Sequence, residues 1–268
     1  MTTEYQIHIL KAGETLVPSA EVLWMSKLIG WERLCFWNVL LTNQERKVLI
    51  NTGFARDFSD LHKFWTEWSM RTTGEHSHIP VIDNDNWVVN QLATQGISPD
   101  DITDIFLMPL TAYTTGGLDQ FPNARIWMLR QGWIDFQAPD PDIPQLPRHI
   151  TMPNHVLSWL ILEAFDRLRL LPNEHSDPLP GITTWFSGSH HRSSMTLIAD
   201  TQAGRFAFTD SFFTFRNYDN NTPLGSSESV EEHYRLTAQL RRSGAKIFPL
   251  YEPTIGERYP ELSVDPKF

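Results

Sequence analysis

Met108-Pro109-Leu110-Thr111-Ala112-Tyr113-Thr114-Thr115-Gly116-Gly117-Leu118 is the stretch on which the reading of this chain turns. It carries hydroxyls and a Gly-Gly pair but no histidine, cysteine or carboxylate. Proline has no side-chain donor atom, and threonine and tyrosine hydroxyls ionise only at high pH, so these side chains are poor ligands for a zinc-type ion. The flanks set the register. Ile97-Ser98-Pro99-Asp100-Asp101-Ile102-Thr103-Asp104-Ile105 precedes the stretch, and Phe121-Pro122-Asn123-Ala124-Arg125-Ile126 follows it.

Four further motifs stand around it: Val48-Leu49-Ile50-Asn51-Thr52-Gly53, Gly188-Ser189-His190-His191-Arg192-Ser193, Phe208-Thr209-Asp210 and Phe248-Pro249-Leu250-Tyr251-Glu252-Pro253. In this order and spacing, over about residues 34 to 260, they resemble the metallo-β-lactamase superfamily, especially its lactonase-like branch of N-acyl homoserine lactonase-type proteins. The resemblance implies an α+β fold, a four-layer αββα sandwich of the metallo-β-lactamase type, with residues 1–268 as a single domain.

In that superfamily a strand ends in His-x-His-x-Asp-His before a Gly-Gly turn, and these side chains help to hold two metals that generate hydroxide at neutral pH. The matching positions here are Pro109, Thr111, Tyr113 and Thr114. Ser189 stands at the first histidine of the Gly-His-x-x-Gly-His segment, Asp210 at the bridging aspartate and Tyr251 at the last histidine. Six of the seven ligand positions are therefore substituted, and a lone carboxylate does not hold zinc against water. The expectation is a protein with no metal and no cofactor, although a slip of one residue at His190 would restore a ligand. Asn51 replaces the aspartate of Asp-Thr-Gly, and Phe213 stands where lactonases of this branch carry a tyrosine.

The formal net charge of -10 argues against nucleic acid and anionic membrane as partners, because both select a basic face. One cysteine, Cys35, excludes an intramolecular disulfide, and its apolar neighbourhood reads as a buried, inert thiol. With no leader-like N-terminus and no long apolar run, the expected location is cytoplasmic. Ten tryptophans, several in the groups Trp24, Trp31, Trp37 and Trp65, Trp68, Trp87, favour core packing over a partner surface.

Alternation at Tyr5, Ile7 and Ile9 predicts an opening strand, and Leu34 to Leu41 with Lys47 to Ile50 a hairpin. Helical spacing predicts helices over Asp57 to Met70 and about Asn86 to Gln95, the second stopping at Gly96. Residues 139–153 hold five prolines and read as an extended loop crossing the pocket. A helix from Asn154 through Leu168 follows, closed by Pro172. Thr183 to Phe186, Ser194 to Ala199 and Arg205 to Thr209 read as strands, Val230 to Arg242 as a helix ended by Gly244, and Lys246 to Pro249 as the last strand.

Placed on the fold that the resemblance implies, Thr111, Tyr113, Thr114, Ser189, Ser193, Asp210, Phe213 and Tyr251 line one cleft, with Asp210, His190, His191 and Arg192 as candidate catalytic groups. His76 and His78 form only a weak His-x-His pair. Two function classes fit. One is a metal-free pseudoenzyme that binds a small molecule, or assembles as a homo-oligomer or with an active paralogue. The other is a metal-independent hydrolase of an ester or lactone, with Asp210 or a histidine as base and Arg192 as electrostatic stabiliser. A pure interaction protein using exposed tryptophans is the third class. An open space shared by Asp210 and a histidine marks the enzyme, and a cleft filled by Tyr113 and Tyr251 marks the scaffold.

Overall fold

Apolar side chains on alternate positions of a strand must be covered on both faces, and this chain covers them with two sheets back to back. The computed structural model describes residues 4–26, 28–75, 84–143 and 145–262. The first sheet has the order β1 (Gln6–Pro18), β2 (Trp31–Thr42), β3 (Lys47–Ile50), β4 (Asp104–Phe106), β5 (Arg125–Leu129) and β6 (Leu168–Leu171). It is mixed: β1, β2 and β3 pair antiparallel, and β3 to β6 run parallel.

The second sheet has the order β11 (Lys246–Pro249), β10 (Gly204–Thr209), β9 (Met195–Thr201), β8 (Ile182–Phe186) and β7 (Ser176–Leu179). Here only β10 and β11 are parallel.

Three apolar clusters show the layers. Val39, Leu41, Ile50 and Phe106 from the first sheet meet Leu197, Phe206, Phe208 and Phe248 from the second. The alternate residues Leu40, Leu49, Ile105 and Ile126 face outward onto the helices Val88–Thr94 and Asn154–Leu162. Ile198, Ala207 and Ile247 face the other way, under Leu236 and Leu240 of the helix Val230–Ser243. The architecture is the expected αββα sandwich.

Most predicted elements appear, with ends moved by a residue or two. The helix predicted over Asp57 to Met70 runs Ser59–Thr73 and stops at Gly74, whose φ of 77° suits glycine. The helix from Asn154 is a correction. It ends at Leu162, and Leu168 opens β6 instead, because residues 168–171 gain a full parallel ladder on β5. The proline-rich crossing segment contains one helical turn, Arg148–Thr151. β6, β7 and the helix Arg130–Gln137 had no counterpart in the sequence reading.

Trp37 packs in the core, whereas Trp24 and Trp68 keep 44% and 39% of their surface exposed, so the tryptophans divide between both readings. Cys35 is buried, which pushes its thiol up to about 11. His76 and His78 lie outside the described residues. Among the described residues no helix is long and apolar enough to cross a membrane.

His233, on the inner face of the helix Val230–Ser243, is fully buried, and among the described residues neither ring nitrogen has a hydrogen-bond partner. Burial, assisted by the charge of Arg241, lowers it from the ordinary 6.5 to about 4. Between those values the unfolded chain binds the extra proton, so this histidine removes stability as pH falls through the window. The expected result is that His233→Leu loses less stability than the wild type between about pH 7 and pH 5 in urea titrations. Equal losses in both proteins would assign the pH dependence elsewhere.

Candidate functional site

The loops that leave β3, β4, β8, β10 and β11 meet at one end of the sandwich. Asn51, directly after β3, fixes the first of them. Its backbone has a φ of 61°, a region asparagine tolerates, and its side chain clamps Met108 in both directions. Nδ2 donates to the Met108 carbonyl at 2.9 Å, and Oδ1 accepts from the Met108 amide at 2.8 Å. An aspartate here would leave one of these bonds without its donor.

Beyond the clamp the loop satisfies itself. Thr114 Oγ1 donates to the carbonyls of Pro109 and Thr111, and Thr115 Oγ1 donates to Thr111. Thr114 is thus a brace inside the loop wall, and its expected place at the cleft is corrected. The Gly-Gly pair has a steric cause. A Cβ on Gly116 would sit 2.0 Å from the Ala55 amide nitrogen, and one on Gly117 2.7 Å from the Thr52 carbonyl oxygen.

Asp210, immediately after β10, is fully buried. Its Oδ2 accepts a hydrogen bond from Ser194 Oγ and faces His190 Nδ1 at 3.2 Å. Among the described residues its Oδ1 has no partner, nor have Ser189 Oγ and Tyr251 Oη. Of Thr111, Tyr113, Tyr251, His190, His191 and Arg192, only His190 hydrogen-bonds this carboxylate among the described residues. Ser194, its other partner, was not singled out by the sequence reading.

His190 and His191 lie with ring centroids 3.9 Å apart, and Phe213 meets the His190 ring edge-on at 4.7 Å. His191 Nδ1 is 2.9 Å from Glu228 Oε1, and Glu228 Oε2 accepts from the Arg192 amide at 2.7 Å. Two carboxylate–histidine couples therefore stand back to back. Burial first, then the charge of His191, lowers His190 to about 4 against the pull of Asp210, so its imidazole is neutral at pH 7. Burial alone would raise Glu228, but the hydrogen bond and charge of His191 outweigh it and hold this carboxyl below its ordinary range.

Thr111, Tyr113, His190, His191, Phe213 and Tyr251 line one cavity of about 240 Å³. Most of the rest of its wall is apolar: Val17, Leu34 and Phe36 from the first sheet, Leu61, Phe64, Trp65 and Trp68 from the helix Ser59–Thr73, and Leu146 and Ile150 from the crossing segment, with Thr15, Glu21 and Ser226 as further polar members. Tyr113 packs against Phe36, Phe54 and Trp65, and Tyr251 against Phe36 and Phe213. Burial, most of all, raises both phenols far above the ordinary tyrosine value. Tyr113 and Tyr251 are thus walls of an open space, which His190 lines and Asp210, expected at the cleft, does not.

Ser189 is buried behind the lining, and Ser193 faces a second cavity of about 570 Å³ while its Oγ accepts from the Leu110 amide. Arg192 is the main correction. Its Nε donates to Asp135 Oδ2 at 2.8 Å in that second cavity, because Asp135 projects from a helix, Arg130–Gln137, that the sequence reading lacked. Glu228 and the aromatic helix wall were also missed. The spacing of Leu61, Trp65 and Trp68 held the signal for the wall, whereas no local pattern marks Glu228.

Among the described residues no three His, Cys, Asp or Glu side chains are grouped to hold a metal ion. The donors at the seven positions thus do not fit a two-metal centre.

No protein-family model matches the chain, and no curated protein matches it. Solved structures do. An N-acyl homoserine lactone hydrolase with its product N-hexanoyl-L-homoserine at the catalytic metal center superposes with a TM-score of 0.77 at 19% identity, over 99% of each chain. A mutant of AiiA from B. thuringiensis with N-decanoyl-L-homoserine bound at the active site gives 0.74 at 19% identity, again over 99% of each chain. AidC, a dizinc quorum-quenching lactonase, gives 0.66 at 13% identity over 96% of this chain and 90% of its own. The fold is the metallo-β-lactamase fold in its lactonase-like form.

The Asn51 clamp gives the site its direct test. Asn51→Asp is expected to lower unfolding free energy by about 1–3 kcal/mol, the cost of a buried group left without its donor, as read by urea titration. Unchanged stability would show that the clamp does not hold the loop.

Proposed function

We propose that this protein has lost the dinuclear metal centre of its fold and acts as a metal-free pseudoenzyme that binds a small molecule with an apolar chain and a polar head. One observation carries the reading. The cavity is mostly apolar along its wall and gathers Thr111, Tyr113, Tyr251 and His190, neutral side chains of which the first three stand at positions that the resemblance assigns to metal ligands. A ligand of that shape desolvates the aromatic wall and still finds donors for its head, the usual division of labour in small-molecule sites. Structural neighbours hold N-hexanoyl-L-homoserine and N-decanoyl-L-homoserine, so acyl homoserine compounds are the first class to try.

Metal analysis of purified protein is expected to find well under one zinc, iron or manganese per chain, with no rise in melting temperature on adding zinc. Trp65 and Trp68 line the cavity, so titration with N-hexanoyl-L-homoserine and its lactone is expected to change tryptophan fluorescence saturably. Tightly held stoichiometric metal would sink the proposal, and so would the absence of saturable binding by acyl compounds of any length.

A further inference from the structure

We infer that the second cavity is a binding site in its own right, for a small organic amine in its cationic form with an aromatic or other apolar body. This goes beyond the reading of the first cavity and does not depend on it.

At about 570 Å³ the second cavity is the larger of the two, a size that holds a small molecule, and among the described residues only Leu146 and His191 line both. Its walls carry three carboxylates, Asp135, Glu228 and Glu232, against one guanidinium, Arg192. The carboxylates outnumber the cations whether or not His191 carries a proton. The chain holds each of them in place. Asp135 accepts from Gln131 Nε2 at 2.7 Å and from Arg192 Nε at 2.8 Å, and Glu228 is tied by His191 and the Arg192 amide. Glu232 Oε1 accepts from Arg235 Nη1 at 3.0 Å, while its Oε2 has no partner among the described residues. Only 18% of the Asp135 side chain and 23% of the Glu232 side chain is exposed, so water screens these charges little and a cation brought to them gains more than at an open surface.

The apolar part of the wall selects the same class. Leu110, Phe136, Ile143 and Phe186 supply it. Arg148 already lies over the Phe136 ring, its guanidinium carbon 4.9 Å from the ring centre, so Phe186 is the ring left for a ligand. Gly188 keeps that ring where it is, since a Cβ there would sit 2.2 Å from Phe186 Cζ. An ammonium beside carboxylates and an aromatic ring gains from both. A neutral ligand forgoes the charge, and an anion meets three like charges.

The test is calorimetric titration of the full chain with three probes that share a phenylethyl body: 2-phenylethylamine, 2-phenylethanol and 3-phenylpropionate. The amine is expected to bind saturably at one site, about tenfold or more tighter than the alcohol, as one charge-assisted hydrogen bond allows, and the anion not to bind. Saturating N-hexanoyl-L-homoserine, the probe of the first cavity, is expected to leave the amine bound. Glu232→Gln should weaken the amine by about tenfold, whereas Arg192→Gln, which removes the one guanidinium of the wall, should tighten it. A gain in affinity does not come from misfolding, so Arg192→Gln decides if Glu232→Gln fails to fold. No saturable binding of the amine overturns the inference, and so does equal binding of amine and alcohol. Unchanged affinity in both variants, or displacement of the amine by N-hexanoyl-L-homoserine, is equally fatal. Failure of N-hexanoyl-L-homoserine itself to bind counts against the reading of the first cavity and leaves amine binding in the second as a separate result.

Discussion

A carboxylate without exposed surface has to be given donors, and Asp210 imposes that requirement on the end of the sandwich where five loops converge. The chain meets it from the turn between β8 and β9. The amides of Ser187 and Gly188 donate to the Ser194 carbonyl, and the Ser194 amide donates to His191. The turn closes on itself and delivers Ser194 Oγ and His190 Nδ1 to one oxygen. Glu228 ties the same turn from outside through His191 and the Arg192 amide. The back-to-back histidines are thus a consequence of how the turn is anchored.

Much of the fold was legible because the layers impose simple periods. Val39 and Leu41 alternate with Leu40, and Phe206 and Phe208 with Ala207, so each strand reports which cluster each face meets. β6 and β7 were illegible for a related reason. Leu168 and Leu170 satisfy both a helical and an alternating reading, and only the ladder to β5 decides between them. The helix Arg130–Gln137 buries just Gly132 and Phe136 fully, too thin a stripe to show as a helical period.

The site was legible as a set of positions and illegible as a set of pairings. Thr111, Tyr113, His190, His191, Phe213 and Tyr251 do share one cavity. That Arg192 would turn to Asp135, and Ser194 to Asp210, depends on partners 57 and 16 residues distant, which no local spacing encodes. Electrostatic reasoning from composition had the same limit. A guanidinium near a buried carboxylate in sequence has no claim on it when a half-buried aspartate offers a partner without full desolvation.

Around Asp210 three polar atoms, Asp210 Oδ1, Ser189 Oγ and Tyr251 Oη, are buried without partners, while the hydroxyls of Thr114 and Thr115 are fully used by the loop. The contrast separates two kinds of substitution. Threonines that brace a backbone turn lower the energy of the folded chain by themselves and need nothing from outside. The orphaned atoms do the reverse, since each costs about 1–3 kcal/mol while it lacks a partner. Native proteins leave few such groups, and those few concentrate where function demands them. All three lie at positions that the resemblance assigns to metal ligands, beside a cavity walled mostly by hydrocarbon and aromatic rings. Of the three residues only Tyr251 lines that cavity, so the orphaned atoms of Ser189 and Asp210 lie behind its wall, where the turn that carries Ser194 and His190 sets what can reach them.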